Sequence, residues 1–156
     1  MALVRILVDG YSLLHQWPEL ASGKPRHSAA AREELITQLT QYHDACGTPI
    51  TIVFDGAGGT NDFDRIASTQ DVEIVYSRAG QSADQVIERL AHRLAGYGEV
   101  LVVTDDFAER DTVTSAGGMV SSCLSFIQTV AAARADLERE IKHYNQGERL
   151  KFKRAS

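Results

Sequence analysis

Short apolar runs and longer amphipathic segments alternate along this chain. Four runs have the length and the Val, Ile and Leu content of buried β-strands: LVRILV (3–8), ITIVF (50–54), VEIVY (72–76) and VLVV (100–103). A fifth short strand is predicted at residues 117–120. Because the runs are almost continuously apolar, they indicate strands that are covered on both faces of a sheet.

Between the strands, apolar residues recur at helical spacing. Ser28 is the predicted N-cap of one helix, and Ser82 with Gln85 has the spacing of a capping box at the start of another. The predicted helices span residues 29–45, 83–95, 107–114 and about 122–144, and Gly147 is predicted to end the last one. Strands that alternate with helices predict a three-layer α/β/α sandwich with a mostly parallel sheet.

Length and composition fit one globular domain. The chain has 156 residues, 44% hydrophobic and 24% charged, which excludes a disordered chain, a collagen-like repeat and a coiled-coil rod. We expect residues 1–146 to form the domain and residues 147–156 to form a basic tail. Cys46 and Cys123 are too few for a disulfide framework or a four-thiolate zinc site.

The chain shows no predicted membrane or secretion signal. No apolar run approaches the roughly 20 residues that a membrane span needs. The N-terminal segment meets an acid after eight residues and has no small-residue cleavage site. We therefore expect a cytoplasmic protein with no membrane partner.

Charge is distributed unevenly. The net charge is −5, yet residues 134–156 contain seven basic and four acidic residues, so the remainder carries −8. An acidic body argues against a general, charge-driven nucleic-acid coat. It fits a body that gathers carboxylates around a metal ion.

Acidic residues follow the predicted strands. Asp9 follows the first strand, Asp55 the second and Asp105-Asp106 the fourth, and Asp84 lies in the first turn of the helix after the third strand. Because the carboxyl ends of parallel strands meet at one edge, these acids are expected to lie together. Taken singly, each is more often a turn former or a helix cap than a metal ligand. Taken together, they would repel one another unless a cation lay among them, and Mg²⁺ or Mn²⁺ suits an all-oxygen site.

Asp84 has a second acid on the same side of its helix. Glu88 lies four residues later, so the two side chains face the same way and repel. Glu88 is therefore a further candidate metal ligand. Alternatively, it pairs with Arg89 or His92, or faces solvent.

Several of these motifs resemble a known family. In order, VDGYSLL, WPEL, VFDG, SADQVIERL and VVTDDF resemble the signature of the YacP-like NYN domains, a branch of the PIN-like nuclease superfamily, over most of residues 3–127. The resemblance implies a PIN-like fold and a metal-dependent endoribonuclease site. It assigns the catalytic carboxylates to Asp9, Asp84 and Asp106, and it implies RNA, and the ribosome, as partners.

Two positions depart from the family pattern. Ser12 stands where the family usually has asparagine, and it would orient Asp9 or contact an RNA phosphate. Asp105 stands where relatives often carry a small polar residue, and it either adds a carboxylate to the metal site or acts as a cap.

RNA must also find cationic and stacking groups near the acidic rim. Lys24 and Arg26 are the predicted phosphate contacts, and Tyr11 and Trp17 could stack on bases. The aromatic rings could instead pack a loop onto the body. The basic residues of the tail either contact RNA or the ribosome, or form a solvated end: Arg149, Lys151, Lys153 and Arg154.

Three functions are compatible with this pattern. The sequence favours an endoribonuclease that hydrolyses RNA phosphodiesters with one or two Mg²⁺ or Mn²⁺ ions. The alternative is a non-catalytic RNA- or ribosome-binding module on the same fold, which Ser12 favours and the retained carboxylates disfavour. A phosphatase with an aspartate nucleophile is disfavoured, because Asp-Gly-Tyr replaces the expected Asp-x-Asp after the first strand.

Overall fold

Five parallel strands form the central sheet of the computed structural model. The structure describes residues 3–23, 25, 28–56, 69 and 71–155, with side chains up to residue 149. The strands are β1 (Leu3–Asp9), β2 (Ile50–Phe54), β3 (Val72–Tyr76), β4 (Glu99–Val103) and β5 (Met119–Ser121), in the order β3-β2-β1-β4-β5. The strand pairs of this sheet are all parallel.

Helices cover both faces of the sheet. In the described residues they are α1 (Gly10–Gln16), α2 (Ala29–Cys46), α3 (Ala83–Leu94), α4 (Phe107–Ser115) and α5 (Cys123–Ala155), with 3₁₀ turns at Pro18–Ala21 and Ala95–Tyr97. The predicted three-layer α/β/α sandwich is therefore confirmed, and its sheet is entirely parallel.

Alternation along β1 divides the core between the two faces. Ile6 and Val8 pack on the side of α1, α2 and α5, whereas Leu7 packs on the side of α3 and α4. Strand β4 alternates in the same way, with Val102 facing α3 and α4 and Val103 facing the other side. Continuing the alternation by one residue directs the end of β1 towards α3 and α4.

The order in which strands are added to the sheet changes sides at β1. Strands β2 and β3 extend the sheet on one side of β1, and β4 and β5 extend it on the other. Ligands of open parallel sheets bind beyond the carboxyl ends of the strands at such a reversal. The carboxyl ends of β1 and β4 are therefore where a site is expected.

A short helix follows β1 directly, and the sequence pattern did not predict it. Asp9-Gly10 has the composition of a turn, but Asp9 is the N-cap of α1 and its side chain accepts a hydrogen bond from the Ser12 N–H. Gly10 is required by close packing, because a Cβ atom there would lie 2.4 Å from Cε1 of Phe54. The absence of a side chain therefore lets α1 begin against the end of β2.

The last helix does not end where the sequence predicted. Helix α5 continues through Gly147 to Ala155. Glycine in a helix interior costs only about 1 kcal/mol relative to alanine, so it need not stop a helix. The division of the chain after residue 146 stays a prediction. Among the helices that the structure describes, none is long and apolar enough to cross a membrane.

We predict that Gly10→Ala destabilises the protein by about 1–3 kcal/mol, because the added methyl group overpacks the ring of Phe54. Gly96→Ala is the matched control, since a Cβ there meets no atom within 4 Å. Urea unfolding of both variants and the parent measures the difference. Equal unfolding midpoints for the two variants would contradict this account.

Candidate active site

A cleft opens beyond the carboxyl ends of β1 and β4. Its volume is about 550 Å³. Its lining combines four carboxylates with small and polar groups: Asp9, Tyr11, Ser12, Asp55, Gly56, Ser82, Ala83, Asp84 and Asp106. The predicted gathering of acids at one edge of the sheet is thus what the structure shows.

Asp9 is the deepest acid of the cleft rim. It ends β1, and only 8% of its surface is exposed. Burial raises the pKa of Asp9 above its ordinary value, as do the charges of Asp84 and Asp55, while hydrogen bonds from the side chain and N–H of Ser12 oppose the shift. The Ser12 N–H donates to Asp9 Oδ1 at 3.4 Å. Because any residue except proline at this position has that N–H, the role predicted for Ser12 in orienting Asp9 stays a prediction.

Asp84 reaches the cleft from the first turn of α3. A complete capping box fixes where that helix begins, because Ser82 Oγ accepts from the Gln85 N–H at 3.2 Å and Gln85 Oε1 accepts from the Ser82 N–H at 3.1 Å. A carboxylate in the first turn is also favoured by the helix dipole. The local sequence therefore positions Asp84 independently of any ligand.

Glu109 is a buried acid that the sequence analysis missed. It lies in the first turn of α4 with 1% of its surface exposed, and its Oε2 accepts a hydrogen bond from Thr104 Oγ1 at 2.9 Å. Among the described residues, no hydrogen-bond donor reaches its buried Oε1. Burial raises the pKa of Glu109 to about 8, as does the close approach of the Asp84 carboxylate, with which a protonated Glu109 would share its hydrogen.

Three of these acids form one tight group. Ligand oxygens of Asp9, Asp84 and Glu109 all lie within 4.8 Å of one another, and no other such group of three occurs among the described residues. Oxygen ligands on opposite sides of one ion lie about 4 Å apart for Mg²⁺ and about 5 Å apart for the larger Ca²⁺, so the group has roughly the size that one divalent ion spans. The orphaned oxygen of Glu109 and the all-carboxylate donor set both fit a hard divalent cation.

Asp106 and Asp105 have backbone partners instead. Asp106 is exposed at the cleft rim, where it caps α4 by accepting from the N–H groups of Ala108 and Glu109 at 2.9 and 3.2 Å. Asp105 accepts from the N–H of Cys123 at 2.9 Å, at the start of α5. Neither belongs to the group of three, so the structure shows Asp105 in the capping role that the sequence left open, on a different helix.

Asp55 and Glu88 lie outside the tight group as well. Asp55 lines the cleft and accepts a hydrogen bond from Ser77 Oγ at 3.1 Å, and that oxygen in turn accepts from the Gly56 N–H. Glu88 is partly buried on α3 and is not among the residues that line the cleft.

The predicted RNA contacts have different outcomes. Tyr11 lines the cleft, but its ring packs 5.1 Å from that of Phe54 and its hydroxyl accepts a hydrogen bond from Arg32. Trp17 is buried in the core, so it packs α1 onto the body rather than offering a stacking surface. Lys24 and Arg26 lie outside the described residues.

The sequence did hold a signal for Glu109. Asp84 was identified because it lies in the first turn of the helix that follows the third strand, and Glu109 occupies the equivalent place after the fourth. The prediction instead placed the ligands at Asp105 and Asp106, in the loop before α4.

Known proteins resemble this chain over most of its length. A family model described as the YacP-like NYN domain matches residues 6–155. The curated relative "Uncharacterized protein YacP" of Bacillus subtilis (strain 168) is 27% identical over 138 residues, which cover 88% of this chain and 81% of the relative.

Crystal structures of Rae1 (YacP) from Bacillus subtilis share the fold and 25% of the sequence. A mutant form has a TM-score of 0.76 and aligns with 90% of this chain and 82% of its own. A second structure has a TM-score of 0.72 and aligns with 95% of this chain and 84% of its own.

We predict that the metal-free protein loses stability as pH rises from about 5 to 8. The raised pKa values of Asp9 and Glu109 mean that the folded state binds protons more tightly than the unfolded state. This stabilisation is complete below the ordinary carboxyl range and is lost as pH passes through the folded pKa, about 8 for Glu109. Thermal unfolding in excess chelator across this range measures the slope.

Glu109→Gln should flatten that pH dependence, because an amide does not titrate, whereas Glu138→Gln on the exposed part of α5 should leave it unchanged. Parallel curves for Glu109→Gln and the parent would show that the buried acids do not control the slope.

Proposed function

The chain belongs to the YacP-like NYN domain family, and from that membership we propose that it is a metal-dependent endoribonuclease. The family is one of nuclease-type domains, which implies an RNA substrate, and the signature motifs read from the sequence are confirmed by the family match. The observation that carries the proposal is the buried group of carboxylates at the reversal point of the sheet.

Asp9 and Asp84 are the ligands on which the sequence and the geometry agree. Both belong to the acids predicted to hold the ion, and both belong to the group within 4.8 Å. We propose Mg²⁺ or Mn²⁺ as the ion, because carboxylate oxygens suit these cations. When bound, such an ion polarises a phosphoryl oxygen and a water molecule, and it offsets charge that develops on the departing oxygen.

The protein's own residues hold the reacting groups in place. The Ser12 N–H holds the carboxylate of Asp9, and the capping box fixes the first turn of α3 that carries Asp84. Because both acids are set by local hydrogen bonds, little reorganisation is needed when substrate enters. By analogy with PIN-like enzymes, the products would carry 5′-phosphate and 3′-hydroxyl ends.

The negative charge around the cleft favours a site that binds a cation over a surface that binds a polyanion directly. The lining contains Asp9, Asp55, Asp84 and Asp106 and, among the described residues, neither lysine nor arginine. A phosphate would be repelled by this surface unless a cation were bound first. Lys24 and Arg26 stay predicted contacts for the flanking phosphates.

The alternative of a non-catalytic RNA- or ribosome-binding module rested on Ser12. In the structure the Ser12 N–H donates to Asp9, and any residue except proline at this position would supply that bond, so it does not separate the two functions. The enzyme proposal and the binding-module alternative differ in one measurable outcome, which is cleavage of RNA.

We predict that Asp9→Asn lowers the rate of RNA cleavage by roughly 100-fold or more, because charge stabilisation by a metal centre is worth several kcal/mol. The matched control is Asp111→Asn, an exposed acid on α4. Cleavage of a structured RNA with Mn²⁺, with and without excess chelator, is the measurement. Cleavage that survives chelator, or an Asp9→Asn variant as fast as the parent, would refute the proposal. RNA binding without cleavage by the parent would support the binding module.

Association with the ribosome is a further proposal, which the family resemblance supports. We expect the protein to sediment with ribosomes. We also expect deletion of residues 147–156 to reduce this binding, because these residues are mainly basic. Sedimentation over a range of salt concentrations measures both. Absence of the parent from the ribosome fraction at low salt would exclude this partner.

A further inference from the structure

We propose that Glu109, and not Asp106, completes the metal centre with Asp9 and Asp84, and that Asp106 is a positioning residue that holds Glu109 in place. The inference rests on the proposed function only for the presence of a divalent ion. It assigns a ligand that the motif resemblance did not supply.

The first argument is the position of the Glu109 side chain. It is almost completely buried, and among the described residues no hydrogen-bond donor reaches its Oε1, which lies in the group with the acceptor oxygens of Asp9 and Asp84. A buried oxygen without a donor is destabilising, and more so if it is charged. An ion shared with the two neighbouring carboxylates would remove that cost.

The second argument is that Asp106 is already committed to the backbone. Its Oδ1 accepts from the N–H groups of Ala108 and Glu109, and its side chain is exposed. One of these bonds is to the backbone of Glu109 itself. Asp106 therefore fixes the helical turn from which Glu109 projects.

Thr104 links the two acids. Its buried hydroxyl donates to Glu109 Oε2 at 2.9 Å and accepts from the Asp106 N–H at 3.1 Å. This arrangement holds one oxygen of Glu109 and leaves Oε1 in the acidic group. It is the geometry of a ligand supported by a second layer of hydrogen bonds, which orients a metal-binding carboxylate.

A purely structural role for Glu109 predicts different behaviour. Glutamine would keep an acceptor for Thr104 and would remove repulsion from Asp9 and Asp84. If Glu109 only packed the interior, Glu109→Gln would be neutral or stabilising and would bind metal as the parent does.

The test is a titration of the protein with Mn²⁺ in the absence of RNA, in which electron paramagnetic resonance measures the concentration of free ion. We expect Glu109→Gln to weaken Mn²⁺ binding by at least roughly tenfold, since even the loss of a supporting partner costs that much. We expect Asp106→Ser to stay within about threefold of the parent, because serine is an equally good N-cap. Asp111→Asn is the control for loss of an exposed acid from the same helix.

Parental Mn²⁺ affinity in Glu109→Gln, or a loss in Asp106→Ser as large as that in Glu109→Gln, would overturn the assignment. Should Glu109→Gln fail to fold by circular dichroism, Asp106→Ser remains: lost affinity overturns the assignment, and retained affinity supports the part of it that excludes Asp106 as a ligand. A parent that binds no Mn²⁺ overturns it as well. A parent that binds Mn²⁺ through Glu109 but does not cleave RNA would defeat the nuclease proposal and leave this inference standing.

Discussion

Mutual repulsion among buried carboxylates is the constraint around which this molecule is organised. Asp9, Asp84 and Glu109 are brought within 4.8 Å of one another, and two of the three are almost completely buried. The fold compensates in part through its helices, since α1, α3 and α4 all begin at the cleft. Each helix start carries roughly half a positive charge, which lowers the cost of gathering acids there.

The alternation of side chains between the two faces of the sheet, which forms the core, also determines where the site lies. Leu7 faces α3 and α4, so Asp9, two residues later, faces the same helices, and Thr104 follows Val102 on the neighbouring strand in the same way. The described lining of the cleft lies at the ends of strands and the starts of helices. It is the end of the packed layer between the sheet and two helices, where polar side chains replace apolar ones.

Much of the fold could be predicted because the relevant signals are local. Strands β2 and β3 have the predicted bounds, and the capping box at Ser82 marks the start of α3. Helix α1 was missed because Asp-Gly after a strand is typical of a turn, and only contact with Phe54, more than forty residues away, shows why glycine is there. Glu109 was missed because its burial and its nearness to Asp9 are tertiary facts. The first-turn position of Glu109 was a signal, but only the folded structure shows that Glu109, rather than the capping Asp106, enters the group.

The contact between Gly10 and Phe54 ties the variation of the site to that of the core. Phe54 is also stacked on Tyr76 and tilted against Tyr11, so its ring has little freedom to withdraw. A side chain directly after Asp9 is therefore tolerable only in a chain whose β2 ends in a smaller residue. Across relatives that keep this geometry, positions 10 and 54 should covary: a larger residue at position 10 should occur only together with a smaller residue at position 54.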